Sequence, residues 1–134
     1  MSKSLIQVAN QSSQTVAVNS IISLGSVQRR FGCNCRLSGN AIEVSGEGYY
    51  LIDCAVSVAP TAAGTVTVAL QKNGEFIPGA IAYGSVSTAG SPTTLAINTT
   101  IRQGCCCDSA DNVSAVLVAG AGTVSNVSLR VQKA

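Results

Sequence analysis

The stretch GYYLIDCAVSVAP, residues 48–60, alternates without a break. Tyr50, Ile52, Cys54, Val56 and Val58 fall on one side; Tyr49, Asp53 and Ser57 fall on the other. Successive strand side chains point to opposite faces, so this is a strand with one buried face. Cys54 belongs to the inward set, where a free thiol packs as a small hydrophobe.

Later segments supply partners for this strand. Residues 65–71 alternate with Val66, Val68 and Leu70 inward, and 94–102 with Leu95, Ile97 and Ile101 inward. Residues 123–132 close the chain with Val127, Leu129 and Val131 inward. Residues 112–118 are apolar on both faces, which suits a central or interface strand. Asn73-Gly74 is a hairpin signal, because both residues tolerate positive φ. Pro78-Gly79 makes 76–82 an edge strand or a bulge. Shorter β-prone pieces lie at 5–8, 15–18, 20–24 and 41–44, and 84–92 reads as a small, polar surface loop. Helical periodicity is absent. The expected class is all-β: an antiparallel sandwich of about eight to ten strands joined by short turns. No linker divides the 134 residues, so they read as one domain, 1–134, with 1–14 as a candidate extended arm.

Hydrophobic residues make up 46% of the chain and charged residues only 10%. An ordinary surface carries more charge than that. Ser, Thr, Asn and Gln must cover this one, and other chains must cover part of it. The net charge is +2, Trp is absent, and Arg29-Arg30 is the only basic doublet. Sequence-independent nucleic-acid binding needs several phosphate contacts, so nucleic acid is not an expected partner. No run approaches the ~20 apolar residues of a membrane helix, so membrane insertion is not expected. MSKSLIQVANQSSQ lacks a basic region followed by an apolar core, so no signal peptide is read. Synthesis in the cytoplasm, with exit by assembly or lysis, is the expectation. His is absent, which removes Ser-His-Asp and Cys-His catalysis. No enzyme activity and no catalytic residue are expected.

The order of short motifs carries a resemblance. Gly48-Tyr49-Tyr50, Asn73-Gly74, Ile77-Pro78-Gly79 and the closing 127–131 strand resemble the C1q/TNF-like jelly-roll family. They resemble especially its bacterial branch, the C-terminal domain of collagen-like spore-surface glycoproteins. Small stand-alone chains of this shape are also similar to head-fibre or decoration proteins of tailed phages. The resemblance implies a ten-strand jelly roll and a tight homotrimer, with one sheet of each protomer toward the three-fold axis. The core and trimer strands would then carry Tyr50, Ile52, Val56, Val58, Val113, Val116, Leu117, Val127, Leu129 and Val131. Gly-X-Y repeats are absent, so the chain is not itself collagen-tailed. Where the family often has Gly-Asp, this sequence reads Gly104-Cys105-Cys106-Cys107-Asp108, and the resemblance does not account for it.

Apart from Cys54, five cysteines form two groups, Cys33 with Cys35 and Cys105, Cys106 and Cys107. Thiolates from two loops could hold zinc, but the usual two-residue gap and any His are missing. Disulfides between the loops are a second reading. The odd count leaves one thiol free or paired across subunits. Adjacent cysteines do not readily bridge each other. Reduced thiols are the third reading. Asp108 and Asp111 offer two carboxylates toward calcium, few for a six- to eight-oxygen site. Arg29 and Arg30 could clamp an acidic partner or end a solvated strand. Tyr49 and Tyr83 are candidate sugar-stacking residues, whereas Tyr50 belongs to the buried pattern. The functional expectation is a trimeric, non-enzymatic structural protein. It would decorate or cap a phage particle or spore-like surface and sit on the particle exterior. The alternative is a trimeric carbohydrate- or receptor-binding module that displays loops such as 84–92.

Overall fold

The computed structural model describes residues 4–103 and 111–134, and within them the chain forms twelve strands. They are β1 (Leu5–Asn10), β2 (Gln14–Val16), β3 (Ser20–Ile21), β4 (Ser26–Phe31), β5 (Cys35–Ser38), β6 (Ala41–Val44), β7 (Gly48–Pro60), β8 (Gly64–Lys72), β9 (Glu75–Val86), β10 (Thr93–Gln103), β11 (Asp111–Ala119) and β12 (Gly122–Lys133). Two six-stranded sheets face each other. The first has the order β10-β7-β12-β1-β4, with β2 also on β12. The second has the order β5-β6-β11-β8-β9, with β3 also on β11. Neighbours in sequence often lie in different sheets, as β6, β7 and β8 do, and this weaves the jelly roll. The strand count exceeds the expected eight to ten because β4 and β5 carry no alternating pattern in the sequence.

β7 is the axis of the first sheet, paired along its length with β10 and β12. Its inward set, Tyr50, Ile52, Cys54, Val56 and Val58, is buried, while Tyr49 and Leu51 stay exposed. Val127, Leu129 and Val131 of β12 join them at 0% exposure. The facing side of the core comes from Val66, Val68 and Leu70 of β8 and from Val113, Ala115 and Leu117 of β11.

β11 is a central strand between β6 and β8, and this explains its two apolar faces. Val113 and Leu117 enter the core. Val116 points the other way, yet it is 3% exposed. It lies in a cross-sheet row with Ile21 of β3 and with Ala69 of β8, which is itself opposite Ile81 of β9.

The hairpin at Asn73-Gly74 has the positive φ values its residues permit, 54° and 84°. Pro78-Gly79 falls where the β8–β9 register slips, with Ala69 opposite Ile81 but Gln71 opposite Phe76. β9 is therefore both an edge strand and a bulged one. It also extends to Val86, so Gly84, Ser85 and Val86 belong to a strand and not to the expected loop 84–92. Two strands escaped the sequence pattern. β4 is exposed at all six positions, and β5 follows the Cys33-Asn34-Cys35 turn. Within the stretch 1–14, β1 is an interior strand between β12 and β4, so from Leu5 onward the chain is part of the first sheet.

Candidate functional sites

One end of the sandwich holds Cys33 and Cys35. Asn34 organises it. Ser4 Oγ donates to Asn34 Oδ1 at 2.7 Å, and Asn34 Nδ2 donates to the Ser45 carbonyl at 2.8 Å. The Tyr50 hydroxyl reaches the carbonyls of Ser45 and Gly46, each at 2.8 Å. Arg30 Nε donates to the Cys35 carbonyl at 2.8 Å, so this arginine ties a strand end rather than standing free for a partner. These bonds fix the turn. They leave Cys33 exposed and Cys35 buried, and both thiols are free. Cys54 is also a free, buried thiol, set apart in the first sheet between Ile97 and Leu129.

Cys105, Cys106, Cys107 and Asp108 lie outside the described residues, and with them the expected disulfide, zinc and calcium pairings between the loops. Among the described residues no group of three or more Cys, Asp or Glu side chains is placed to hold a metal ion. Asp111 is already engaged: Asn73 Nδ2 donates to its Oδ1 at 2.8 Å, and Lys72 Nζ lies 3.6 Å from its Oδ2.

Burial pushes the Cys35 thiol up to about 11, against small lowering effects of Arg30 and Lys133. Burial alone pushes Cys54 up to about 12. Two expectations follow from this contrast. Iodoacetamide at neutral pH should label Cys33 in the native protein and spare Cys35 and Cys54, while urea should expose all three. Peptide mass analysis reads the pattern, and equal labelling of Cys33 and Cys35 would contradict the burial. The second concerns alkali. An unfolded thiol ionises near 9.0, whereas the folded Cys35 and Cys54 hold their protons to about 11 and about 12. Above pH 9 the unfolded chain therefore binds fewer protons than the native one, and stability falls as pH rises. Urea midpoints under reducing conditions should drop from pH 9 upward, and Cys54→Ala should flatten part of the slope. An unchanged slope in that variant would remove Cys54 as a cause.

The outer face of the first sheet is layered in rows across the strands. One row runs Thr100, Leu51, Gln132, Leu5, Phe31. Leu51 is 43% exposed and Phe31 54%, and Tyr49 beside them is 56% exposed. The next row runs Asn98, Asp53, Arg130, Gln7, Arg29. Arg130 Nη2 donates to Asp53 Oδ2, and Asn98, with its amide turned to donate, reaches Asp53 Oδ1 at 2.6 Å. A third row is small: Ala96, Ala55, Ser128, Ala9. A depression of about 300 Å³ lies over the second and third rows.

The outer face of the second sheet carries a larger depression, about 550 Å³, at the Asn73 end. Ser38, Asn40, Gln71, Asn112 and Ser114 line it, with Ile21 at one side. Of the two tyrosines expected to stack on sugars, Tyr83 lies on this sheet and Tyr49 on the other, so they form no common platform.

Comparison with solved structures places this architecture. Murine APRIL matches with a TM-score of 0.75 at 12% identity, covering 99% of this chain and 100% of that one. The fold is a TNF/C1q-like jelly roll. The globular domain of zebrafish complement 1qA protein matches at 0.69 and 8% identity, covering 94% of each chain. The PRD1 vertex protein P5 matches at 0.62 and 11%, covering 97% of this chain and 96% of that one. At such identities the likeness is one of fold. No family model matches the sequence, and no curated protein does.

Neither outer-face feature is legible in the sequence. The apolar row needs the partner of each outward residue of β7, and the depression gathers residues from four separate stretches. Only the Asn73-Gly74 hairpin pointed toward the second, since it fixes Gln71 against Phe76.

Proposed function

We propose that this chain is a non-enzymatic binding module that acts as a homotrimer. The outer face of the first sheet forms the subunit contacts, and the outer face of the second sheet stays open to a ligand. The observation that carries the reading is the exposed apolar surface on the outer face of the first sheet, with Tyr49 and Leu51 side by side on β7 and Phe31 at the far end of the same row on β4. Large apolar groups clustered on a surface mark an interaction site. Next to them, Asp53 and Arg130 neutralise each other within the protomer, and the alanine row lets a neighbour approach closely. The charged content of 10% fits a chain whose surface is partly covered by its own copies. The core residues expected to serve the trimer, Tyr50, Ile52, Val56, Val58, Val113, Leu117, Val127, Leu129 and Val131, support it from behind by holding the sheets flat against each other.

A second reading is a decoration or cap protein on a larger particle, a virion or a spore-like surface. The likeness to a vertex protein favours it. Both readings need the trimer and put the protein outside a cell or on a particle. Light scattering after gel filtration tests the shared part: the mass should be three times the 13.5 kDa of the chain. A stable monomer would overturn both. Pull-down with isolated particles against glycan and protein arrays then separates them.

A further inference from the structure

We propose that the depression on the outer face of the second sheet is a binding site for a neutral glycan. The inference deepens the binding-module reading and rests on it. The lining holds no charged side chain. Charges near its rim are tied to each other, Arg36 to Glu43 by two hydrogen bonds of 3.0 and 3.2 Å, and Lys72 to Asp111. No cationic side chain in it meets phosphate, sulfate or a carboxylate.

What the groove offers instead is unspent amide and hydroxyl. Asn73 is fully used: its Nδ2 donates to Asp111, and its Oδ1 accepts from the Asn112 backbone N–H at 2.8 Å. That pair of bonds anchors the β8–β9 turn to β11 and sets the floor of the site. By contrast, the side chains of Asn40, Gln71, Asn112 and Ser114 make no hydrogen bond to any described residue. Each amide carries an acceptor oxygen and two N–H donors side by side, which match the adjacent hydroxyls of a sugar ring. Gln71 is half-buried and Ser114 is 7% exposed, so both are held by packing and present their polar ends with little freedom left to lose.

A sugar also has an apolar C–H face. Ile21, 52% exposed, lines one flank of the depression, and Phe76, 54% exposed, neighbours Gln71 on the same face just beyond the lining. Polar groups beside an apolar wall fit a pyranose better than a peptide, whose backbone would seek the free edge of β5 or β9. The volume of about 550 Å³ is ample for a short oligosaccharide.

The test uses the full chain on an array of neutral hexose and N-acetylhexosamine oligosaccharides, with sialylated and sulfated ones as the charged counterparts. Calorimetry with the best neutral binder follows, on the wild type, Gln71→Leu, Asn112→Leu, Phe76→Ala and the control Tyr83→Ala. Each groove substitution should weaken binding about tenfold or more, as expected when a polar or stacking contact is lost, and Tyr83→Ala should change it less than about twofold. All four positions are at the surface or half-buried, and far-UV circular dichroism checks their folding. Neutral glycans bound equally by the groove variants would overturn this site and leave the module reading standing. Binding to charged glycans only, or to none by an intact trimer, would also overturn it, and protein ligands would then be the remaining class. A monomeric chain that still binds through Gln71 and Phe76 would overturn the trimer and keep the site.

Discussion

Leu129→Ala should cost about 2–5 kcal/mol of folding stability, the range for emptying a buried leucine site. Leu129 is the middle of β12, at 0% exposure. Cys54 stands opposite it on β7 and Val8 opposite it on β1, both buried and both too short to fill the space. These strands pair on both sides of β12, so the backbone cannot collapse into the hole. That pushes the cost toward the upper half of the range. Tyr83→Ala, on the outer face of the second sheet and 68% exposed, should barely change stability. Urea unfolding of both variants at one fixed protomer concentration checks the contrast, since the midpoint of an oligomer depends on concentration. A loss below about 1 kcal/mol for Leu129→Ala would mean that the core relaxes around the cavity, against close packing.

The ease with which the sequence yields such a residue, and hides others, has a physical cause. Leu129 is legible because Val127 and Val131 flank it at period 2, and one buried face imposes that period on a strand. β7, β8, β10 and β12 were legible for the same reason. β4 was not: at an edge of the first sheet it is exposed at every position, so Ser26–Phe31 carries no alternation. The end of β9 was read as loop because Gly84 and Ser85 are small and polar. Tertiary pairing overrides that composition, with Thr65 opposite Ser85 and Val66 opposite Gly84. The amide-lined groove cannot be read locally at all. Ile21, Asn40, Gln71 and Asn112 are far apart in sequence, and only the order β6-β11-β8, with β3 alongside, brings them together. The cysteines divide likewise. Cys54 was legible from its place in an alternating strand. Cys33 and Cys35 differ in exposure because of a hydrogen-bonded turn centred on Asn34, which no pattern of apolar residues encodes.

Charge should break the proposed subunit contact. A chain carrying Tyr49→Lys and Leu51→Lys should elute as a monomer, with protomer stability close to wild type. Both positions point out from β7, and Leu51 continues through Gln132 and Leu5 to Phe31. In a trimer packed through this face, burying the exposed part of each Leu51 side chain gains about 1 kcal/mol. Lysine replaces that gain with an unpaired ammonium, whose removal from water costs several kcal/mol. Three-fold symmetry repeats the penalty in every subunit. Asp53 cannot rescue it, because Arg130 and Asn98 already occupy both its oxygens. The matching control is Tyr83→Lys, on the outer face of the second sheet and 68% exposed, which should leave the mass unchanged. The reverse outcome, with Tyr83→Lys dissociating the assembly and the β7 pair leaving it whole, would move the contact to the second sheet. That face also carries the amide-lined groove, so the same result would cover the proposed glycan site with a neighbouring subunit. One pair of mass measurements therefore decides which sheet the copies share and which stays open to a ligand.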